Sequence, residues 1–159
     1  GLGRQAMEAG EEVPPSICVK IRRTGELVEV FVDELPDDVL DLLDLLRAEV
    51  PPLEIWHQFA LEYYRQDNVD AFREILTEAK MGFHYFEKDK ESAGDEDVDM
   101  MKVKIINALA ANALLEAADA VNQGKERYTK IRESIVNYFQ EADKIDYESP
   151  LTWANKALF

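Results

Sequence analysis

One helical hairpin in the middle of the chain constrains the fold more than any other feature. A tetratricopeptide repeat has large apolar, small and aromatic residues at fixed positions of its first helix, and an apolar residue followed by alanine in its second. With Trp56 placed at position 4 of such a repeat, the matching residues are Phe59, Ala60, Tyr63, Leu76 and Ala79. Small residues are needed where two helices cross, and large ones fill the adjoining holes. The one departure is Phe72, which occupies a position where a small residue is usual.

A second and longer helix pair follows with a looser match. Leu109 and Ala110 suit positions 7 and 8, although Ala113 replaces the expected aromatic residue, and Phe139 and Ala142 suit the second helix. The pair is longer than a standard repeat, so an insertion lengthens its helices or its turn. The pattern predicts a mostly α protein: a tetratricopeptide-type helical-repeat solenoid fragment preceded by a short β-hairpin.

The remaining segments are predicted from local signals. Ile17 and Val19 alternate with polar residues, and Thr24-Gly25 provides a turn, which together indicate a hairpin. Pro36 suits the first turn of a helix, and Pro51-Pro52 ends that helix. The predicted order is a disordered tail or cloning scar over 1–15, a β-hairpin over 16–34, an amphipathic helix over 35–51, a first helical repeat over 53–86, an acidic loop over 87–98, a second, longer repeat over 99–149, and the start of a third repeat over 150–159.

The charge of the chain limits its partners. It has 33 acidic and 18 basic residues, a net charge of −15, and such a field repels phosphate backbones, so we expect no direct binding of nucleic acid. No apolar run approaches the length of a bilayer span, so we expect no membrane insertion. Cys18 is the single cysteine, which excludes an internal disulfide and is consistent with a reducing compartment.

No pattern in the sequence indicates catalysis. His57 and His84 are the only histidines, and neither is framed by residues at zinc-ligand spacing. Asp95 to Asp99 imitates the start of a calcium loop, but Met100 and Ile106 occupy the places that need glycine and glutamate. We therefore predict a protein that is not an enzyme, has no catalytic residue, metal or cofactor, and works by binding other proteins.

Three stretches carry a resemblance to a known family. They are FVDELP at 31–36, LEIW at 53–56 and ALEYYRQ at 60–66. Together with the order of the elements, they resemble the large tetratricopeptide scaffold subunit of the Paf complex of RNA polymerase II, the Ctr-nine family. The resemblance implies a nuclear scaffold in transcription elongation and histone modification. It also implies that the N-terminal repeats hold another subunit of the complex, the one that gives the complex its name.

The repeat register predicts where a partner binds. In tetratricopeptide arrays, the first helix of each pair lines a concave face, and the residues predicted to point into it are His57, Leu61, Tyr64, Arg65, Asn107, Leu114 and Leu115. Exposed together, the apolar members of this set would form a patch that suits a partner. Two alternatives remain at this point. The hairpin or the helix after it could fill the groove, or the chain could be a co-chaperone-type receptor for a peptide tail, although His57 and Leu61 replace the Lys and Asn that such receptors use.

Overall fold

A computed structural model describes residues 15–89 and 95–159. Two strands come first, followed by helices that pair as antiparallel neighbours. The strands are β1 (Ser16–Lys20) and β2 (Leu27–Phe31), and the helices are α1 (Val39–Glu49), α2 (Leu53–Arg65), α3 (Val69–Met81), α4 (Asp95–Ala120), α5 (Lys125–Ile145) and α6 (Pro150–Ala157). Short 3-10 turns cover Val32–Glu34 and Phe83–Asp89. The predicted tail over 1–15 lies outside the described residues except for Pro15.

The hairpin packs one face against the first helix pair. β1 and β2 are antiparallel, with Val19 opposite Val28, and Gly25 at φ +76° provides the left-handed turn residue between them. Ile17 and Val19 are buried on the inner face, and β1 contacts α2. Because two strands alone are marginal in water, this contact with α2 supplies the support that the hairpin needs.

α1 begins three residues later than its proline indicates. The helix starts at Val39, because the side chain of Asp38 accepts a hydrogen bond of 2.9 Å from the Leu40 amide and caps it. Pro36 lies in the extended segment before this cap. The helix ends at Glu49, and its C-cap residue Val50 has φ +41° and directly precedes Pro51.

The predicted repeat residues form the centre of the core. Trp56, Phe59, Ala60 and Tyr63 are buried along α2, as are Leu76 and Ala79 on α3. Phe72, the departure from the pattern, is buried as well, and its ring contacts that of Tyr64 at 5.1 Å between centroids. One apolar cluster joins these residues to β1, α1 and the first half of α4.

The first and second helix pairs differ in length. α2 and α3 have 13 residues each, whereas α4 has 26 and α5 has 21. At about 1.5 Å per residue, α4 is about 39 Å long and extends well past the first pair. At the far end of this second pair, residues 121–130 are all exposed.

The predicted acidic loop over 87–98 is shorter in the structure. The second 3-10 turn continues to Asp89, and α4 begins at Asp95 instead of residue 99. Acidic residues suit the first turn of a helix because of its positive end, and the exposed Asp97 lies in this added turn. Glu87 pairs with the buried ammonium group of Lys102, which holds the 3-10 turn against α4. Residues 90–94 lie outside the described residues.

Polar contacts between side chains connect α3 to the helices around it. The guanidinium of Arg47 on α1 forms two hydrogen bonds, 2.8 and 2.6 Å, with Glu78 on α3. Arg73 on α3 reaches Asn112 on α4, with an Nε–Oδ1 distance of 3.2 Å, and Lys80 on α3 pairs with Glu141 on α5. α3 is thereby tied to α1, α4 and α5. The predicted fold class, a helical-repeat fragment behind a β-hairpin, is confirmed.

Candidate partner-binding surface

The face that the repeat register predicts to be concave is formed by α2 and α4, the first helices of the two pairs, and is called the concave face below. The two helices contact each other, and the surface between them contains both cationic and apolar residues. On the α4 side, Lys104, Ala111 and Leu115 are exposed at spacings that place them along one stripe. On the α2 side, Tyr64 and Arg65 are exposed at the C-terminal end. This stripe is the candidate surface.

Tyr64 and Leu115 are the exposed apolar residues of this surface. Tyr64 is 43% exposed and Leu115 is 62% exposed. The ring of Tyr64 packs against the buried ring of Phe72, and this contact within the chain orients the Tyr64 side chain without a partner. Because both side chains remain open to solvent, neither the hairpin nor α1 covers them.

Leu61 and Leu114 are half-buried at the edge of the surface. Leu61 packs against the large core cluster, and Leu114 packs against a second cluster built around Ile135 and Phe139. Each therefore contributes both to the interior and to the floor of the concave face. Of the predicted pair of leucines on α4, Leu115 is the one that a partner can reach fully.

Asn107 is not part of the accessible surface. It is buried, and its amide donates to the Thr152 hydroxyl at 2.8 Å and to the Val103 carbonyl at 3.0 Å. Asn155 on α6 donates to the Asn107 side-chain oxygen at 2.9 Å. The repeat register predicted that Asn107 points into the concave face. It did so because the pattern of one repeat does not show that α6 packs against α4 at this residue. In the structure, Asn107 joins α4 to α6.

His57 lies half-buried on α2 beside the surface. Burial lowers the pKa of His57, the charge of Lys104 lowers it further, and the nearby Glu54 opposes both effects. The imidazole is therefore neutral at physiological pH and offers one donor and one acceptor. The sequence pattern included Lys104 among the inward positions of α4, but it gave no sign that Lys104 and His57 interact.

Charge and apolar groups are therefore combined along one face. Arg65 is exposed and pairs with Glu62 one turn earlier on the same helix, and exposed ion pairs of this kind contribute little to stability. Its guanidinium is thus available to a partner. Among residues 15–89 and 95–159, no group of three or more His, Cys, Asp or Glu side chains could hold a metal ion. No helix in that part of the chain is long and apolar enough to span a bilayer.

The fold and its concave face define a tetratricopeptide-type helical-repeat protein. No family profile matches the chain, but curated proteins do. It is 34% identical over 142 residues, 89% of the chain, to the Protein CTR9 homolog of Arabidopsis thaliana. It is 31% identical over 132 residues, 82% of the chain, to the RNA polymerase-associated protein CTR9 of Caenorhabditis elegans.

The chain belongs to the Ctr9 family, which confirms the resemblance carried by its hairpin and first repeat. It spans 12% of the length of the Arabidopsis protein and 10% of the length of the nematode protein. The aligned part includes most of the elements described above.

Proposed function

We propose that this chain is a non-catalytic scaffold segment that holds an extended or helical segment of another Paf complex subunit, the one that gives the complex its name, on its concave face. The nematode relative is named as an RNA polymerase-associated protein, which supports a place in transcription by RNA polymerase II and in the nucleus. We infer no enzymatic activity for this segment.

The exposure of Tyr64 and Leu115 on one face carries this proposal. Large apolar side chains that stay open on a well-packed fold are a common sign of an interaction site. Tyr64 and the neighbouring Arg65 belong to the residue types that most often anchor interfaces. Ala111 on α4 is exposed, and its small side chain leaves room for a partner backbone to approach closely.

The polar groups of the surface favour a peptide-like partner over a small molecule. Lys104 and His57 lie at one end of the stripe, and Arg65 lies at the other end of α2. A long surface with polar groups at its ends and apolar residues between them suits an extended strand or a helix laid along it. A segment with apolar residues at helical or alternating spacing would satisfy this arrangement.

The double variant Tyr64→Ala/Leu115→Asp tests the proposal. It is assayed by co-purification with the name-giving Paf subunit of the same organism, followed by titration calorimetry. We expect binding to weaken by at least about a hundredfold, since two central anchors are lost. The matched control is Val121→Asp/Tyr128→Ala, which changes an exposed aliphatic residue in the turn after α4 and an exposed tyrosine in the first part of α5.

Helicity and melting temperature are measured for all three proteins. Lost binding in the concave-face variant, with folding unchanged and the control variant still binding, supports the concave face as the site. Full binding by the concave-face variant rejects it. An equal loss in both variants would also reject it, because the effect would then not be specific to this surface.

A further inference from the structure

A separate groove lies on the other side of the first repeat. Its volume is about 520 Å³ and it is lined by the hairpin turn, the C-terminal ends of α1 and α3, and the second 3-10 turn. Trp56 and Phe86 form its floor and meet edge to face, with 6.4 Å between ring centroids and 88° between planes. None of the concave-face residues named above lines it.

The floor of this groove is apolar and its own polar groups are satisfied. The indole nitrogen of Trp56 donates to the Pro51 carbonyl at 3.0 Å, so the ring presents only carbon to the groove. Met81 and Tyr85 stand on the rim and are 73% and 66% exposed. Flexible methionine and aromatic side chains around a cavity of this volume suit a bulky apolar side chain.

Basic side chains lie at the rim of the groove and close to it in sequence. Lys20 ends β1, and Arg22 and Arg23 follow in the turn, all three exposed; Arg22 lines the groove itself. No ion pair of these three side chains occurs within residues 15–89 and 95–159. They stand out in a chain whose net charge is −15.

The acids at the rim are already engaged. Glu78 accepts both hydrogen bonds from Arg47, and Glu49 accepts the Arg22 amide at 2.7 Å. Both carboxylates therefore accept hydrogen bonds from the protein's own donors, while the exposed Arg22 lines the groove and forms no ion pair within the described residues. A partner that supplies carboxylates next to a large apolar side chain complements both features.

We propose that this groove, which we call the hairpin groove, docks an acidic segment of a partner protein that carries one bulky apolar residue. The apolar side chain enters between Met81 and Tyr85 onto the Trp56–Phe86 floor. Acidic residues beside it pair with Arg22 and Arg23. This site is distinct from the concave face and gives the first repeat a second point of attachment.

The test uses the whole 159-residue chain and short fluorescein-labelled peptides measured by fluorescence anisotropy. The first peptide has a central Phe flanked on both sides by Glu, the second replaces Phe with Ser, and the third replaces every Glu with Gln. We expect the first peptide to bind at least about tenfold more tightly than either of the others. Its binding should weaken with added salt, because exposed ion pairs are screened.

Two pairs of matched variants locate the binding. Arg22→Glu/Arg23→Glu reverses the positive charge at the rim. Lys125→Glu/Arg127→Glu makes the same charge reversal at the exposed start of α5. We expect the first variant to weaken binding about tenfold or more and the second to change it less than about twofold, since only near charges matter at physiological salt.

The second pair tests the apolar contact. Met81→Ala/Tyr85→Ala removes the rim side chains, and Met100→Ala/Tyr128→Ala removes an exposed methionine and an exposed tyrosine outside the groove. Binding lost in the first of these and kept in the second supports the hairpin groove. All four side chains are exposed, so folding is checked by melting temperature and should change little.

Several results would overturn the proposal. Equal binding of all three peptides, or loss in the Met100→Ala/Tyr128→Ala variant, would place the peptide elsewhere. Binding seen only after removal of residues 1–14 would make the chain's own acidic start the occupant. Concentration-dependent dimerisation that Met81→Ala/Tyr85→Ala abolishes would make it a second copy of the chain. A negative result for the hairpin groove does not reject the proposed function of the concave face, because that surface is tested with its own partner and its own variants.

Discussion

The Tyr63 hydroxyl donates a hydrogen bond of 2.7 Å to the Pro36 carbonyl oxygen. Tyr63 is a core residue of the first repeat, and Pro36 lies in the link between the hairpin and α1. A second contact nearby, from the Gln66 amide to the Val32 carbonyl at 2.9 Å, connects the same two regions. The N-terminal segment is therefore attached to α2 by polar contacts as well as by apolar burial.

Replacing Tyr63 with Phe should destabilise the fold by about 1 kcal/mol, because the Pro36 carbonyl loses its donor while the ring stays buried. The free energy of unfolding in urea measures this. The control is Tyr128→Phe on the exposed start of α5, which should leave stability unchanged within about 0.5 kcal/mol. An equal effect in both variants would show that the bond to Pro36 contributes nothing.

The same residue predicts a dependence on alkaline pH. Burial, together with Asp37, Asp38 and Asp41, raises the pKa of Tyr63 from 10.0 to about 12. Between these values the unfolded chain loses a proton that the folded chain retains, so stability falls as pH rises. The Tyr63→Phe variant lacks this part of the fall. The difference in stability between the two proteins should therefore shrink above pH 10, and a constant difference would contradict the raised pKa.

Ala60 tests the packing of the repeat. Its side chain is fully buried where α2 crosses its neighbours, so Ala60→Leu should overpack the crossing and cost about 1–3 kcal/mol. Ala118→Leu places the same change on an exposed position of α4 and should have little effect. Thermal and urea unfolding of both variants give the comparison. An unchanged melting temperature for Ala60→Leu would show that the repeat register is wrong.

His57 predicts a loss of stability in mild acid. Its pKa in the folded chain lies below the ordinary value of 6.5, chiefly through burial and then through Lys104, with Glu54 acting in the opposite direction. As pH falls below 6.5, the unfolded chain binds a proton before the folded chain does, so the free energy of unfolding decreases. His57→Gln should lose less stability than the original chain between pH 7 and about pH 5.5. A histidine proton titration by NMR with a midpoint at or above 6.5 would refute this account.

Asn107 should control how firmly α6 is attached. Asn107→Ala removes the hydrogen bonds to Thr152 and Asn155 and leaves buried polar groups without partners. We expect amide hydrogen exchange in α6 to speed up by about tenfold, with little change in α2 and α3. The exposed Asn137→Ala serves as the control. Uniform acceleration across all helices would mean that Asn107 supports the global fold and not α6 in particular.

The sequence predicted the first repeat well because its signal is local. The spacing of Trp56, Ala60 and Tyr63 along one helix determines which residues face the neighbouring helix, and all three are buried. Trp153 shows the limit of the same reasoning. It occupies the matching position in α6 but is 52% exposed, and its ring packs against the ring of Tyr147, which is exposed as well. In α6 the buried residue is Thr152.

Other features depended on contacts distant in sequence. Nothing local distinguishes Asn107 from a concave-face residue, because its role is set by α6, 45 residues later. Lys102 was not identified as a buried residue, since lysine is rarely buried unless it is paired, and its partner Glu87 lies in a stretch that reads as a solvated loop. The predicted start of α1 was too early, because Asp38 is the residue that caps the helix, whereas Pro36 lies before the cap.

The single cluster that joins the hairpin to α4 has a consequence for synthesis on the ribosome. Its members extend from Ile17 to Leu109, so the core that covers β1 and α2 cannot close until α4 has emerged. At about 5–20 residues per second, translation of the intervening chain takes several seconds or more. During that interval the apolar sides of β1, α1 and α2 are open to chaperones and to other nascent chains. Placing a slowly translated stretch just before α4 would lengthen this interval and lower the yield of folded protein.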